Sequence, residues 1–252
     1  MIRLALGGAL PHGRTDRPGR SGAGRVGRAL LLLVAAVTVE GCAPAVRALA
    51  GTSRPVALPA EGGAASPQLI RFAWRYEDET FEAHGDGAVR VQPPDRARLD
   101  FFLANGLAGG YAILEGDSLQ VPGIDLVRRF LPPVPLLWGT LGRRVVPAAP
   151  DTIVRQDGDT VRTDIGVRPP GTAGERGGRV WRMHYAPEGL RRMERIEDGR
   201  VVEAIWRERV VDALWRMRYV HERGKRRLTI TVRDTTVTEG FDEAIWRRPP
   251  SR

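Results

Sequence analysis

Few side chains in this sequence are of the kinds that carry out covalent chemistry. Among 252 residues there are one cysteine and four histidines. Past residue 42 the only serines are Ser53, Ser66, Ser118 and Ser251. The first two fall in a Pro/Ala/Gly-rich stretch and the last at the terminus. Ser118 follows Glu115-Gly116-Asp117, a turn setting without the neighbouring base that activates a hydroxyl. His12, His84, His184 and His221 stand singly, with no pair at metal-ligand spacing. Glu77-Asp78-Glu79 has the character of a solvated loop run, and there is no phosphate loop or dinucleotide fingerprint. These residue types point away from catalysis and from any resident metal or cofactor, and one cysteine cannot build a disulfide framework.

The position of Cys42 suggests a different chemistry. A region carrying Arg14, Arg17, Arg20, Arg25 and Arg28 leads into the uncharged run Ala29 to Val39, which Glu40-Gly41-Cys42 closes. A bilayer core needs about 20 apolar residues in a helix, so this shorter run fits a secretory signal. With cysteine directly after Gly41, it resembles a bacterial lipoprotein signal, in which the thiol is lipidated and becomes the mature N-terminus. Glu40 departs from the small or hydroxyl residue usual there. The alternative is a free cysteine buried in an apolar helix. Initiation at Val26 would leave a signal of ordinary size. The expected organisation is a signal peptide over 1–41, a lipidated Cys42 with a flexible tether to 66, and a single domain over 67–250.

The charge follows that division. The chain has 39 basic and 30 acidic residues, a net +9. Lys225 is the only lysine, and the segment through Cys42 holds six of the arginines and two acids, leaving +5 for the remainder. The arginines are spread along strand-like segments rather than gathered in a basic module, which argues against nucleic acid as a partner.

From Leu69 onward, apolar residues recur with period two, as in strands with one buried face. Ile70, Phe72, Trp74 and Tyr76 share a face, with Arg71 and Arg75 opposite. Trp181, Met183 and Tyr185 oppose Arg182 and His184; Trp215, Met217 and Tyr219 oppose Arg216 and Arg218; Leu228, Ile230 and Val232 oppose Arg227 and Arg233. Asp86-Gly87, Asp157-Gly158, Asp198-Gly199 and Arg223-Gly224 provide hairpin turns. Thirteen candidate segments, some merging, give about ten strands in an antiparallel meander. Short helices are expected at 124–131, 134–142 and 241–246. About ten strands at about 4.8 Å make a sheet near 48 Å wide, whereas a helix covers only about 10–12 Å. The fold expected is therefore mainly β, or α+β by count of its short helices: an incomplete, strongly curved antiparallel barrel with a small helical lid or plug.

The order of features resembles the LolA/LolB lipoprotein-localisation superfamily over roughly residues 66–250. It runs from the lipidated cysteine and tether to FAWRYEDETFEAHGDGAVRV and PPDRARLDFFLANGLAGGYAILEGDSLQV. A Pro-bounded helical pair follows, and the strands end in FDEAIWRRPP. The Gly/Pro-rich stretch 166–178 departs from that pattern. The resemblance implies a helical lid over an apolar cavity for the acyl chains of lipoproteins. With the anchor it implies a LolB-like receptor that meets a periplasmic carrier protein. It also implies that Leu107, between Asn105-Gly106 and Gly109-Gly110, is an exposed loop residue passing lipid into the membrane. Ala43 after the cysteine implies an outer-membrane lipoprotein facing the periplasm.

Two outcomes stay open from the residues themselves. In one, Phe72, Trp74, Phe101, Tyr111, Trp138, Trp181, Trp206 and Trp215 line an apolar cavity that takes an acyl chain or lipoprotein. In the other, the barrel is filled and a structural, assembly or sensor lipoprotein docks partners or anionic lipid through Arg71, Arg75, Arg182, Arg216 and Arg218.

Overall fold

The period-two segments form one sheet of twelve antiparallel strands in the computed structural model, which describes residues 51–52, 57–104, 109–122, 125–150, 152–166, 179–210 and 214–247. The chain divides into two units, Met1–Ala43 and Pro44–Arg252, and all the described residues lie in the second. Cys42, Leu107 and residues 167–178 lie outside them.

The first half of the sheet comprises β1 (Gln68–Glu77), β2 (Glu82–Gln92), β3 (Arg96–Leu103), β4 (Gly110–Glu115) and β5 (Ser118–Gln120). Two helices follow, α1 (Asp125–Phe130) and α2 (Val134–Thr140). The chain then returns through β6 (Ile153–Asp157), β7 (Thr160–Ile165), β8 (Arg179–Ala186), β9 (Gly189–Glu197), β10 (Arg200–Arg209), β11 (Trp215–His221) and β12 (Arg226–Val237). β12 pairs with β1, joining the two meanders, while β5 and β6 are the two outer strands and do not pair with each other. The barrel is thus incomplete, as expected. Helix α1 touches both β4 and β12, which stand four places apart in the sheet. On a flat sheet that would be about 19 Å, beyond the reach of a helix about 10–12 Å across, so the strands curl around it. A 3-10 segment, Glu243–Trp246, is the third short helix, capped by Asp242 accepting from the Ala244 amide at 2.7 Å.

The concave face carries one contiguous core. It takes Phe72, Trp74 and Tyr76 from β1, Leu99 and Phe101 from β3, Met183 and Tyr185 from β8, and Leu228, Ile230 and Val232 from β12. Val127 and Phe130 of α1 and Leu136, Leu137 and Trp138 of α2 complete it.

One local expectation is corrected. Asp86-Gly87 is not a turn, because β2 runs unbroken through it. Gly85 lies opposite Trp74 and Leu103, and Gly87 opposite Phe72 and Phe101. A Cβ on Gly87 would come within 2.3 Å of the Phe72 ring, and one on Gly85 within 1.8 Å of the Phe102 carbonyl oxygen. The glycines are there for close approach beneath large aromatics, in a strand that must bend. Part of the stretch before β1 lies against the domain. Leu58 and Ala64 pack on the core, the Arg144 amide donates to the Glu61 carbonyl at 2.6 Å, and Gly62 bridges to Arg143.

Candidate functional site

The concave side divides into a filled part and an open part. Under α1 it is filled. Phe130 stacks on Trp74 with centroids 5.2 Å apart and meets Phe101 edge-on at 5.1 Å and Tyr76 at 5.4 Å. Phe72 and Trp74 each meet Phe101 at 5.7 Å. Phe72, Trp74 and Phe101 are buried to 3% exposure or less. The Trp74 indole donates to the Asp86 carbonyl at 3.0 Å. Sequence reasoning put these rings around a cavity; here they fill the space between sheet and helix, because Phe130 inserts among them.

An ionic clasp holds α1 in place. Arg129 donates from Nε and Nη2 to the two carboxylate oxygens of Asp78 at 2.8 and 3.0 Å, and the Tyr76 hydroxyl donates to Asp78 Oδ2 at 2.6 Å. The Tyr76 bond, followed by the Thr80 amide and then other contacts including Arg129, holds the Asp78 carboxyl well below the usual range. Burial first, and Asp78 second, push the Tyr76 hydroxyl up to about 12.

Helix α2 starts after Pro133, with Pro135 in its first turn, where a missing amide proton costs nothing. It ends in a paired turn, the Gly142 amide donating to the Gly139 carbonyl and the Arg143 amide to the Trp138 carbonyl, both at 3.0 Å. Gly142 takes φ +86°, the left-handed conformation such an ending requires. The Trp138 indole donates to the Gly116 carbonyl at 2.7 Å, tying α2 to the β4–β5 turn, and Trp138 is buried.

Beyond the end of α2 the concave face is open. A cleft of about 390 Å³ lies between α2 and strands β1, β10, β11 and β12. Ile70, Leu141, Leu214, Trp215, Met217 and Val232 give it apolar walls, and Arg207 gives it a charge. The Arg207 guanidinium sits against Gly142, where a Cβ would come within 2.7 Å, and 4.3 Å from the Trp215 ring. Its Nη1 donates to the Leu190 carbonyl at 3.0 Å. Burial first, and Arg191 second, lower its pKa to about 10. Sequence reasoning passed over Arg207. The signal was adjacency: Ile205 and Trp206 cannot both face inward, and if Ile205 does, Arg207 does too.

Trp206 and Tyr111 are corrected accordingly. Ile205 is fully buried in the core, so Trp206 faces outward between Arg218 and Arg192, 4.9 and 5.2 Å from its ring. Ala112 and Leu114 are the inward residues of β4, and Tyr111 lies on the outer face beneath Arg98 at 4.2 Å. Trp181 faces inward at a second, larger cleft of about 580 Å³. This one is of mixed character, with Glu61, Asp95, Asp117 and Arg143 among its walls.

The outer arginines are mostly spoken for. Arg182 makes a two-pronged pair with Asp164, both bonds 2.8 Å, with both side chains nearly covered. Arg71 pairs with Asp234 at 3.2 Å, and Arg75 with Glu82 at 2.8 Å. Arg216 lies 3.5 Å from Glu208. Among the described residues no group of three or more His, Cys, Asp or Glu side chains is placed to hold a metal ion, and no helix is long and apolar enough to cross a membrane.

No protein-family model matches the chain, and no curated protein matches it in sequence. Solved structures do resemble it. A LolA superfamily protein from Nitrosomonas europaea aligns over 73% of this chain and 90% of its own, at 11% identity and a TM-score of 0.45. A DUF1329 family protein from Desulfovibrio piger aligns over 73% and 90%, at 10% identity and a TM-score of 0.41. A domain described as an outer membrane lipoprotein-sorting protein, from Vibrio parahaemolyticus, aligns over 72% and 89%, at 9% identity and a TM-score of 0.39.

Proposed function

We propose that this protein is a lipid-anchored envelope protein that binds a single acyl chain, without covalent chemistry, in the cleft beyond α2. The carrying observation is the cleft itself: mostly apolar walls on the concave side of an incomplete barrel, bounded by a helix end and left unfilled, whereas the core under α1 is packed. Its volume of about 390 Å³ lies at the low end of the ligand-pocket range of about 300–1,000 Å³. That suits one chain rather than the several chains of a lipoprotein. Burial of apolar surface supplies the affinity, at about 25 cal/mol per Å² before the cost of ordering the chain. Lipid handling at the outer membrane, with Cys42 as the anchor and Leu107 as a loop that meets the bilayer, extends the same reading.

The test is titration of the unlipidated chain, Cys42→Ser, with a fluorescent fatty acid. Saturable binding that is abolished by filling the cleft with Ile70→Trp, while the circular dichroism stays unchanged, is the expected result. Absence of saturable binding would favour the filled-barrel alternative, to which the packed aromatic cluster lends support. For the anchor, palmitate labelling of the wild type should be lost in Cys42→Ser.

A further inference from the structure

Arg207 is a poor residue for stability where it stands. Its side chain is largely buried on the concave face, and among the described residues no carboxylate lies within ion-pair distance of it. Its Nη1 is bonded to Leu190, whereas its Nε is buried without a hydrogen-bond partner. Desolvated charge that is not paired is expensive, and an unmade bond on a buried donor adds to the cost. Two more guanidinium groups approach the same ring: Arg191 and Arg209 lie 5.5 and 5.4 Å from Trp215. Among the described residues, the one ion pair these three arginines make is that of Arg191 with Glu188, at 3.0 Å. Positive charge is therefore concentrated at a cleft whose other walls are uncharged, mostly apolar with Gln68, Thr140 and Thr235 among them.

We propose that the cleft takes a long-chain fatty acid, its carboxylate paired with Arg207 and its chain laid over Trp215, Met217, Val232 and Ile70. The proposal rests on the acyl-chain reading above and adds the chemical class of the head group. Guanidinium offers two parallel N–H bonds along each edge, and the Nε edge of Arg207 is the one not engaged with Leu190. A carboxylate there supplies both the missing acceptor and the missing counter-charge. Arg207 stays protonated at neutral pH, since its pKa, though lowered, remains near 10. The small head and single chain of a fatty acid match the small cleft, and the cationic end sets the direction in which the chain enters.

Palmitic acid and its methyl ester, which share a chain and differ in charge, are compared as competitors of an uncharged naphthylamine dye on the full chain carrying Cys42→Ser. The acid is expected to bind about tenfold or more tightly than the ester, the difference that a charged hydrogen-bonded pair makes. In Arg207→Met that preference disappears, through weaker binding of the acid. The melting temperature is expected to equal or exceed that of the wild type, since an uncompensated cation has been removed. In Arg207→Lys, which keeps the charge and loses the fork, the preference is expected to be reduced. Equal binding of acid and ester by the wild type, or an acid preference that survives in Arg207→Met, overturns the carboxylate assignment and leaves chain binding intact. Failure of both ligands to bind overturns the reading on which it rests.

Discussion

Truncating Phe130 to alanine tests whether the helical plug belongs to the core or covers a vacant space. Phe130 is 1% exposed and touches Trp74, Phe101 and Tyr76 with ring centroids 5.1–5.4 Å apart. Loss of a buried phenyl ring costs about 3–5 kcal/mol in transfer and cavity terms. The aromatic partners on three sides belong to two strands of a curled sheet and cannot easily collapse inward, so the upper part of that range is expected. For a domain of this size about 1 kcal/mol corresponds to about 2–4 °C in Tm, so the midpoint should fall by about 6–20 °C. Urea unfolding followed by tryptophan fluorescence measures the free energy directly, and the loss of the Phe130–Trp74 stack should also change the near-ultraviolet circular dichroism. A loss below about 1 kcal/mol, well under the range for a buried aromatic, would show that α1 stands away from the sheet and that the filled half of the barrel is open.

Three further outcomes follow from the same geometry. Gly87→Ala places a Cβ 2.3 Å from the Phe72 ring and 2.7 Å from the Asp100 carbonyl oxygen. It should cost about 1–3 kcal/mol in urea unfolding, partly recovered by adding Phe72→Leu; no change would refute the close approach. Asp78 has a folded pKa depressed below its unfolded value, so the stability it contributes is complete above about pH 5 and is lost progressively as pH falls further. Asp78→Asn should flatten the decline in urea midpoint between about pH 5 and pH 3, and an unchanged acid limb would count against the clasp on α1. Arg182→Ala breaks a covered two-pronged pair and should cost about 3–5 kcal/mol. Near-neutral stability together with lost binding to anionic vesicles would restore the arginine face as a docking surface.

The fold was largely legible because one face of each strand is buried, which writes period two into the sequence. β1, β8, β11 and β12 show it without interruption, and the helices stand out through their Pro and Gly boundaries. The site was less legible, for reasons that particular residues make plain. Alternation fixes which residues share a face, but not which face is which when two large apolar residues are adjacent. Ile205 and Trp206 are such a pair, and a register shift between Val201 and Glu203 moves the phase upstream of them. Tyr111 looked apolar enough for the inside, yet Ala112 and Leu114 occupy it, and the phase of β4 leaves Tyr111 on the outer face under Arg98. Asp86-Gly87 has turn composition, and only the aromatics across the sheet, distant in sequence, explain the glycine. Alternation from Ile205 turns Arg207 inward, but nothing in a linear pattern says that an arginine there will be buried without an acidic partner.

The most direct test of the central claim is quenching of tryptophan fluorescence by a dibrominated stearic acid, whose bromine atoms quench only on contact. The account predicts saturable, partial quenching of the Cys42→Ser chain that disappears in Trp215→Phe, because Trp215 walls the cleft whereas Trp74 and Trp138 are sealed in the core. Quenching that persists undiminished in Trp215→Phe, or that never saturates, would contradict it.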